Sequence, residues 1–330
     1  MTLRSVLATT SFAAALSLVG AAGTAEEIEI RFGTVNDPGG VQYESGAEWV
    51  KRINEAAGDA VKADIYGSSQ LGNDKEMMQK VKLGTQEIAQ PSSIMSTIQA
   101  EFGVFEMPYI IKDRVHAGCV AKEIVMPDLA PKLEEQGYKL LAVWENGFRS
   151  ISNNVRPINT PEDLQDIKLR TPKSVWRVKM FESYGANPTP MPFSEVFVAL
   201  QTGVIDGQEN PYANINSAKF QEVQKFLSET NHVYTPSFPT ASKKIFDSWP
   251  AEVQDAVMST AADVQGWTYE YAAKVEGELR DSLQAGGMEF NVADRDAFVA
   301  ASKPIYEQFA AEVEGGGDLI DRVLALADGC

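Results

Sequence analysis

The stretch EIEIRFGTVNDPGGVQYESGAEWVKRINEAAGDAVKADIYG, residues 27–67, decides the fold class. In EIEIRFGTV, Ile28, Ile30 and Phe32 alternate with polar residues, the two-residue period of a half-buried strand, and NDPGG breaks that strand into a loop. GAEWVKRINEAAG places Ala47, Val50, Ile53 and Ala56 on one helical face and stops at Gly58, after which VKADIYG returns to a strand. The chain therefore opens β, α, β. The same rhythm continues outward: QLGNDKEMMQKVKLG gives a loop and a helix with Asn73 or Asp74 as cap and Gly84 as stop. QEIAQ, the apolar FGVFEMPYII, a helix from Arg114 towards Gln136 and the strand YKLLAVWE follow. Strands and helices alternating at this spacing predict α/β lobes with largely parallel sheets.

From Ser150 a second lobe begins, with ISNNVRPINTPEDLQDIKLRTP supplying a strand, a turn at Asn159 to Pro161, a short helix and another strand. Near Pro250 the longest periodic segment starts. Val253, Val257, Ala261, Val264, Tyr271, Val275, Leu279 and Leu283 recur at steps of three or four, with one gap of seven, up to Gly286 and Gly287. That predicts a helix roughly 50 Å long, long enough to lie across both lobes as a common spine.

At the N-terminus, MTLRSVLATTSFAAALSLVGAAGTA has a positive start at Arg4, a small apolar run and a small-residue cleavage site at Gly23 to Ala25, the layout of a secretory signal. The run is too polar and short for a membrane span. Removing residues 1–25 leaves 305 of the 330 residues, more than one core usually serves. The formal charge of −17 repels phosphate backbones and anionic lipid, so neither nucleic acid nor direct lipid binding is expected. Two cysteines, Cys119 and Cys330, and two histidines, His116 and His232, form no zinc-type ligand cluster. In an oxidising compartment the cysteines can pair, and the sequence leaves open whether they come close enough.

Three short pieces carry the chemistry: GFR at 147–149, KLRTP at 168–172 and NPTPMPFSEVFVALQTGVIDGQENP at 187–211. Arg149 and Arg170 each sit at the edge of an apolar strand, where a partly desolvated guanidinium needs an anion. Arginine grips a carboxylate with two parallel hydrogen bonds; the alternative for either residue is a structural ion pair with one of the 46 acids. Phe193 follows two prolines and precedes an amphipathic helix, so its ring can wall a small pocket, and the Asn210 amide can both donate and accept.

These motifs, in order with QLG at 70–72, MPY at 107–109 and the stretch from NHVY to SKK at 231–244, resemble the substrate-binding proteins of TRAP transporters, the tripartite ATP-independent periplasmic carriers of the DctP family. The resemblance runs from about Ile30 to about Phe290. It implies a periplasmic α/β protein with mixed sheets in two lobes, joined by hinge strands, crossed by a spine helix and closing on one small organic anion. It implies lobe I over 26–146, lobe II over 147–235, a return to lobe I over 236–248, the spine over 249–285 and a C-terminal helical segment packing on the lobes over 286–330. Arg170 matches the family arginine that pairs with the ligand carboxylate, Arg149 a second basic contact, Phe193 and Asn210 pocket positions, and His232 a position near the cleft.

In the family an insertion-prone loop surrounds Asn36, and Ser92 falls where relatives vary with their ligand, so the resemblance implies that both positions set specificity. Trp176 can stack on a ligand or serve as core. Within GVIDGQENP, Gly203 and Gly207 permit a tight path that presents Asn210, and Asp206 and Glu209 are local hydrogen-bonding partners. The implied partners are a carboxylate ligand, possible hydroxyls included, and the membrane permease subunits, with the protein a monomer and no cofactor. A sulfonate or aromatic acid, or a role as sensor component, is the alternative. Glu195 and Glu209 as a hydrolase pair have no fixed separation, and no GxSxG motif is present, so no enzyme is expected.

Overall fold

The computed structural model describes residues 27–330; the secretory signal expected over residues 1–25 lies outside them. Two sheets and a two-stranded ribbon organise the chain. In the first sheet Ile28–Gly33 lies second from one edge, parallel to Val61–Tyr66 at that edge and to the central strand Ile88–Ala89 on the other side. The helix Val41–Ala57 connects the first two strands, and Asn54 locks it to the sheet by accepting from Ala63 N (2.8 Å) and donating to Ala63 O (2.9 Å). Asn73 caps the helix Asp74–Leu83 in a capping box with Glu76, and Gly84 ends it at φ +73°.

Thr240–Ser242 adds to this sheet antiparallel to Ile88–Ala89, and Tyr138–Leu140 pairs antiparallel with Thr240–Ser242. The second sheet runs from Glu289–Val292 through Phe226–Glu229, Ser150–Asn153, Gly207–Asn210 and Lys168–Thr171 to Asn187–Pro190. Its pairings are parallel at both flanks and antiparallel around Ser150–Asn153. Largely parallel sheets were the expectation from local alternation; the sheets are mixed because strands that have crossed between lobes enter the receiving sheet from its opposite end. The segment 286–330, expected to be helical, opens with the strand Glu289–Val292 on the edge of the second sheet before its three helices.

Trp144–Phe148 and Tyr234–Ser237 pair antiparallel between the two sheets. The helix Ala251–Ala285, 35 residues long, spans the same gap. Val253, Val257, Ala261 and Val264 pack with Ile30, Trp49 and Trp144 in the first lobe, and Leu283 packs with Phe220 and Leu227 in the second. Trp144 ties ribbon to helix by donating to Ala261 O at 2.8 Å. The lobes also share a core: one apolar cluster runs from Met77 and Val81 through Phe102, Val104 and Phe105 to Leu169, Met180, Phe181 and Phe309. FGVFEMPYII lies in it, and its first part folds as the 3-10 segment Ala100–Glu106. Cys119 and Cys330 are disulfide-bonded, fixing the C-terminus to the helix Arg114–Val120.

Candidate ligand-binding site

The loops that follow the parallel strands of both sheets face one another across a cleft, the usual place for ligands in open α/β sheets. The space between its walls, open solvent at the mouth included, is about 590 Å³. The first lobe contributes Asn36 after Ile28–Gly33, Asn73 and Asp74 at the start of their helix, and Ser92 after Ile88–Ala89. Arg170, Met191, Phe193 and Asn210 come from the second lobe, and Arg149 from the ribbon's end.

Arg170 is 4 % exposed, and its only protein partner among the described residues is a carbonyl: Nε (3.1 Å) and Nη2 (2.8 Å) both donate to Met191 O. Burial lowers its pKa to about 10, against the pull of Glu209 and Asp74. Its guanidinium carbon lies 5.9 Å from the centre of the Phe193 ring, which in turn rests on Phe220. The arrangement holds a desolvated cation in place while leaving its Nη1 edge unbonded among the described residues, ready for a carboxylate.

Arg149 has the other fate weighed for it. It lies in the cleft wall, yet Nε and Nη2 donate to both carboxylate oxygens of Glu209, and Nη2 also donates to Asn210 Oδ1 at 3.0 Å. Glu209 further accepts from Arg177 Nη1 (2.6 Å) and contacts His232 Nε2 (3.1 Å), and Arg177 pairs with Glu106 at 2.8 Å. All five side chains are at most 3 % exposed. Burial works against the Glu209 charge, but Arg149 and Arg177 outweigh it and hold the carboxyl well below the usual range. Burial pushes His232 down to about 4, so the ring is neutral and its hydrogen bonds run to Glu209 and Thr230.

His232 and Trp176 therefore stand corrected as cleft residues: neither lines the cavity. His232 belongs to the charge network beneath it, edge-on to Phe181. Trp176 packs against Phe309 and over Gly103, where a Cβ would meet the indole at 2.6 Å, so it is core. Asn36, Ser92, Arg149, Arg170, Phe193 and Asn210 are brought together around the cleft. In GVIDGQENP, Gly203 has φ +71°, and a Cβ at Gly207 would strike Ser152 O at 2.4 Å, so each glycine is required for a different reason. Asp206 accepts from Lys168 N at 2.9 Å.

The cleft holds further residues that the motifs did not single out. Gln42, Asn146 and Asn214 supply amides; Asn214 donates to Asn146 (3.0 Å) and Asn210 (3.2 Å). Asn36 Nδ2 and Asn214 Oδ1 are buried and without a hydrogen-bond partner among the described residues. Asp74 is partly buried, and burial raises its pKa to about 6 despite Arg170. The spacing of Asn214 four residues after Asn210, which puts both on one side of the turn into the helix Tyr212–Ser217, was a usable signal. Asp74 was hidden by its place beside a helix cap, where an acid is ordinary.

The family model for bacterial extracellular solute-binding proteins of family 7, DctP, matches residues 32–312. The 2,3-diketo-L-gulonate-binding periplasmic protein YiaO of Escherichia coli is 33 % identical over 89 % of this chain and 90 % of its own. The C4-dicarboxylate-binding periplasmic protein DctP of Rhodobacter capsulatus is 33 % identical over 98 % and 99 %. Among solved structures, the sugar acid binding protein DctPAm from Advenella mimigardefordensis, in complex with galactonate, superimposes with a TM-score of 0.88 at 31 % identity, covering 92 % of this chain and 98 % of its own. With this sequence match, two lobes and a cleft between them, the chain belongs to the family 7 extracellular solute-binding proteins, the DctP family.

Proposed function

We propose that this chain is the exported binding component of a TRAP carrier, which captures a small hydroxylated organic acid between its lobes in the periplasm and delivers it to sodium-coupled membrane subunits. The observation that carries this reading is Arg170: a buried guanidinium that faces a cleft, bonded to a carbonyl and paired with no carboxylate among the described residues. A desolvated cation that bonds to no carboxylate, with Glu209 and Asp74 acting on it only from a distance, is incompletely compensated, and an anionic ligand relieves that cost. Hydrogen bonds to charged groups contribute about 1.5–3 kcal/mol each, so the free guanidinium edge with a few amides supports binding near −8 kcal/mol, the micromolar range.

Asn36 Nδ2 and Asn214 Oδ1, one buried donor and one buried acceptor without partners among the described residues, favour a ligand that carries hydroxyls as well as its acid. Relatives that bind a diketo sugar acid and galactonate fit that chemistry. The test is a thermal-shift screen of the chain from residue 26 onward against organic acids, sulfonates and neutral sugars, since a ligand bound only by the folded state raises the melting temperature. A rise with hydroxylated acids, abolished by Arg170→Ala, is the expected result. A rise with neutral sugars alone, unchanged by Arg170→Ala, overturns the proposal.

A further inference from the structure

We infer that Asp74 makes this cleft selective for acids with a single carboxylate: its side chain accepts ligand hydroxyls and turns away a second carboxylate. The inference rests on the organic-acid reading above and adds the residue that divides that class. Asp74 lines the first-lobe wall and Arg170 the second-lobe wall of the same cavity, so a ligand held by Arg170 presents the rest of its chain to a wall that contains Asp74.

The charged side chains lining the cleft are Asp74, Lys75, Arg149, Arg170 and Lys173. Arg149 is committed to Glu209, and Lys75 and Lys173 are exposed, where water screens them. The desolvated charges left to a ligand are one cation, Arg170, and one anion, Asp74. A first carboxylate takes Arg170, which is also the charge that compensates Asp74. A second carboxylate then meets Asp74 with no desolvated cation to answer it; two like charges about 5 Å apart at an effective dielectric near 20 weaken binding by about 250-fold. A hydroxyl meets the opposite situation. The Asp74 carboxyl lines the cavity and accepts no hydrogen bond from another residue's side chain among the described residues, so its oxygens are free to accept from a ligand hydroxyl. Overall identity does not divide the two ligand classes, because the diketo-gulonate and C4-dicarboxylate relatives are equally similar to this chain.

The experiment measures dissociation constants by titration calorimetry for two matched pairs, D-galactonate with galactarate and D-erythronate with meso-tartrate. The members of each pair differ only in whether the terminal carbon is a hydroxymethyl group or a carboxylate. Wild-type protein is expected to prefer the monoacid of the tighter pair by at least about 30-fold. Asp74→Asn narrows that ratio to below about fivefold, weakening the monoacid about tenfold and tightening the diacid; Asp74→Ser changes the ratio in the same direction, and unliganded melting temperatures verify that both variants are folded. Equal affinity of wild type for both members of a pair, or a ratio unchanged in both variants, overturns the inference. Tight diacid binding that Arg170→Ala abolishes leaves the organic-acid reading standing and removes only this inference, whereas binding of no acid at all counts against both.

Discussion

Replacing Glu209 by Gln removes the negative charge on which Arg149, Arg177 and the His232 ring converge. The network is closed to water, since Glu209 and Arg177 are 0 % exposed and Arg149 is 3 % exposed. In the native arrangement Arg149 and Arg177 balance Glu209 and Glu106, with His232 neutral. The amide keeps the shape but offers one acceptor oxygen where two were used, points an NH2 at a guanidinium, and leaves one positive charge uncompensated. Breaking a buried pair in this way costs about 3–5 kcal/mol. Urea unfolding followed by tryptophan fluorescence measures it: with a slope of about 3 kcal/mol per molar, the midpoint falls by about 1–1.7 M. Glu209→Gln combined with Arg149→Met, which removes the guanidinium left without a carboxylate while Arg177 keeps Glu106, regains at least half of that loss. A midpoint shift below about 0.3 M for the single variant would refute the claim that this carboxylate holds the floor of the cleft together.

The remaining predictions concern the side chains around this floor. His232 is held neutral down to about pH 4, while an unfolded histidine takes up a proton near its ordinary 6.5. Between those values the unfolded chain binds more protons, so this group's contribution to stability is fully present above pH 6.5 and is lost as pH falls towards 4. The fall between pH 7 and 4.5 is expected to be about 2 kcal/mol smaller in His232→Gln, measured by urea midpoints at the two pH values. Trp176→Ala opens a cavity against Phe309 and lowers stability by about 3–5 kcal/mol with dissociation constants changed less than threefold, whereas Phe193→Ala does the reverse, weakening ligand at least tenfold with little change in melting temperature. Calorimetric titration beside thermal melts separates the two.

Much of the fold was legible because its signals are local. The period of two in Ile28, Ile30 and Phe32, the cap at Asn73, the left-handed stop at Gly84 and the steps of three and four after Pro250 are satisfied within a few residues of themselves. What was not legible depends on distant partners. The direction in which Thr240–Ser242 enters the first sheet is set by the chain's crossing back from the other lobe, and the four-residue strand Glu289–Val292 is too short and too exposed to show a period. FGVFEMPYII has the composition of a strand, and the core shared by both lobes makes a 3-10 segment of its first part.

The site divides in the same way. The KLRTP and GFR arginines were visible as desolvated cations, but which of them is free depends on where Glu209 points. Arg177 gave no local sign that it pairs with Glu106, 71 positions earlier, and with Glu209. His232 and Trp176 lie near the cleft in sequence terms yet beneath it in space, because an amphipathic or neutral ring beside a glycine or a carboxylate serves the core as well as a ligand.

The most direct test of the central claim is the affinity of Arg170→Lys for the tightest-binding acid from the screen, measured by titration calorimetry beside the melting temperature of the unliganded protein. Lysine keeps the charge and loses the fork. The affinity is expected to be at least about 30-fold weaker, two lost charge-assisted bonds being enough, with the unliganded melting temperature unchanged or higher because the buried guanidinium is under-compensated until a ligand arrives. An unchanged affinity, or an unliganded protein that no longer folds, would contradict it and make Arg170 a structural cation.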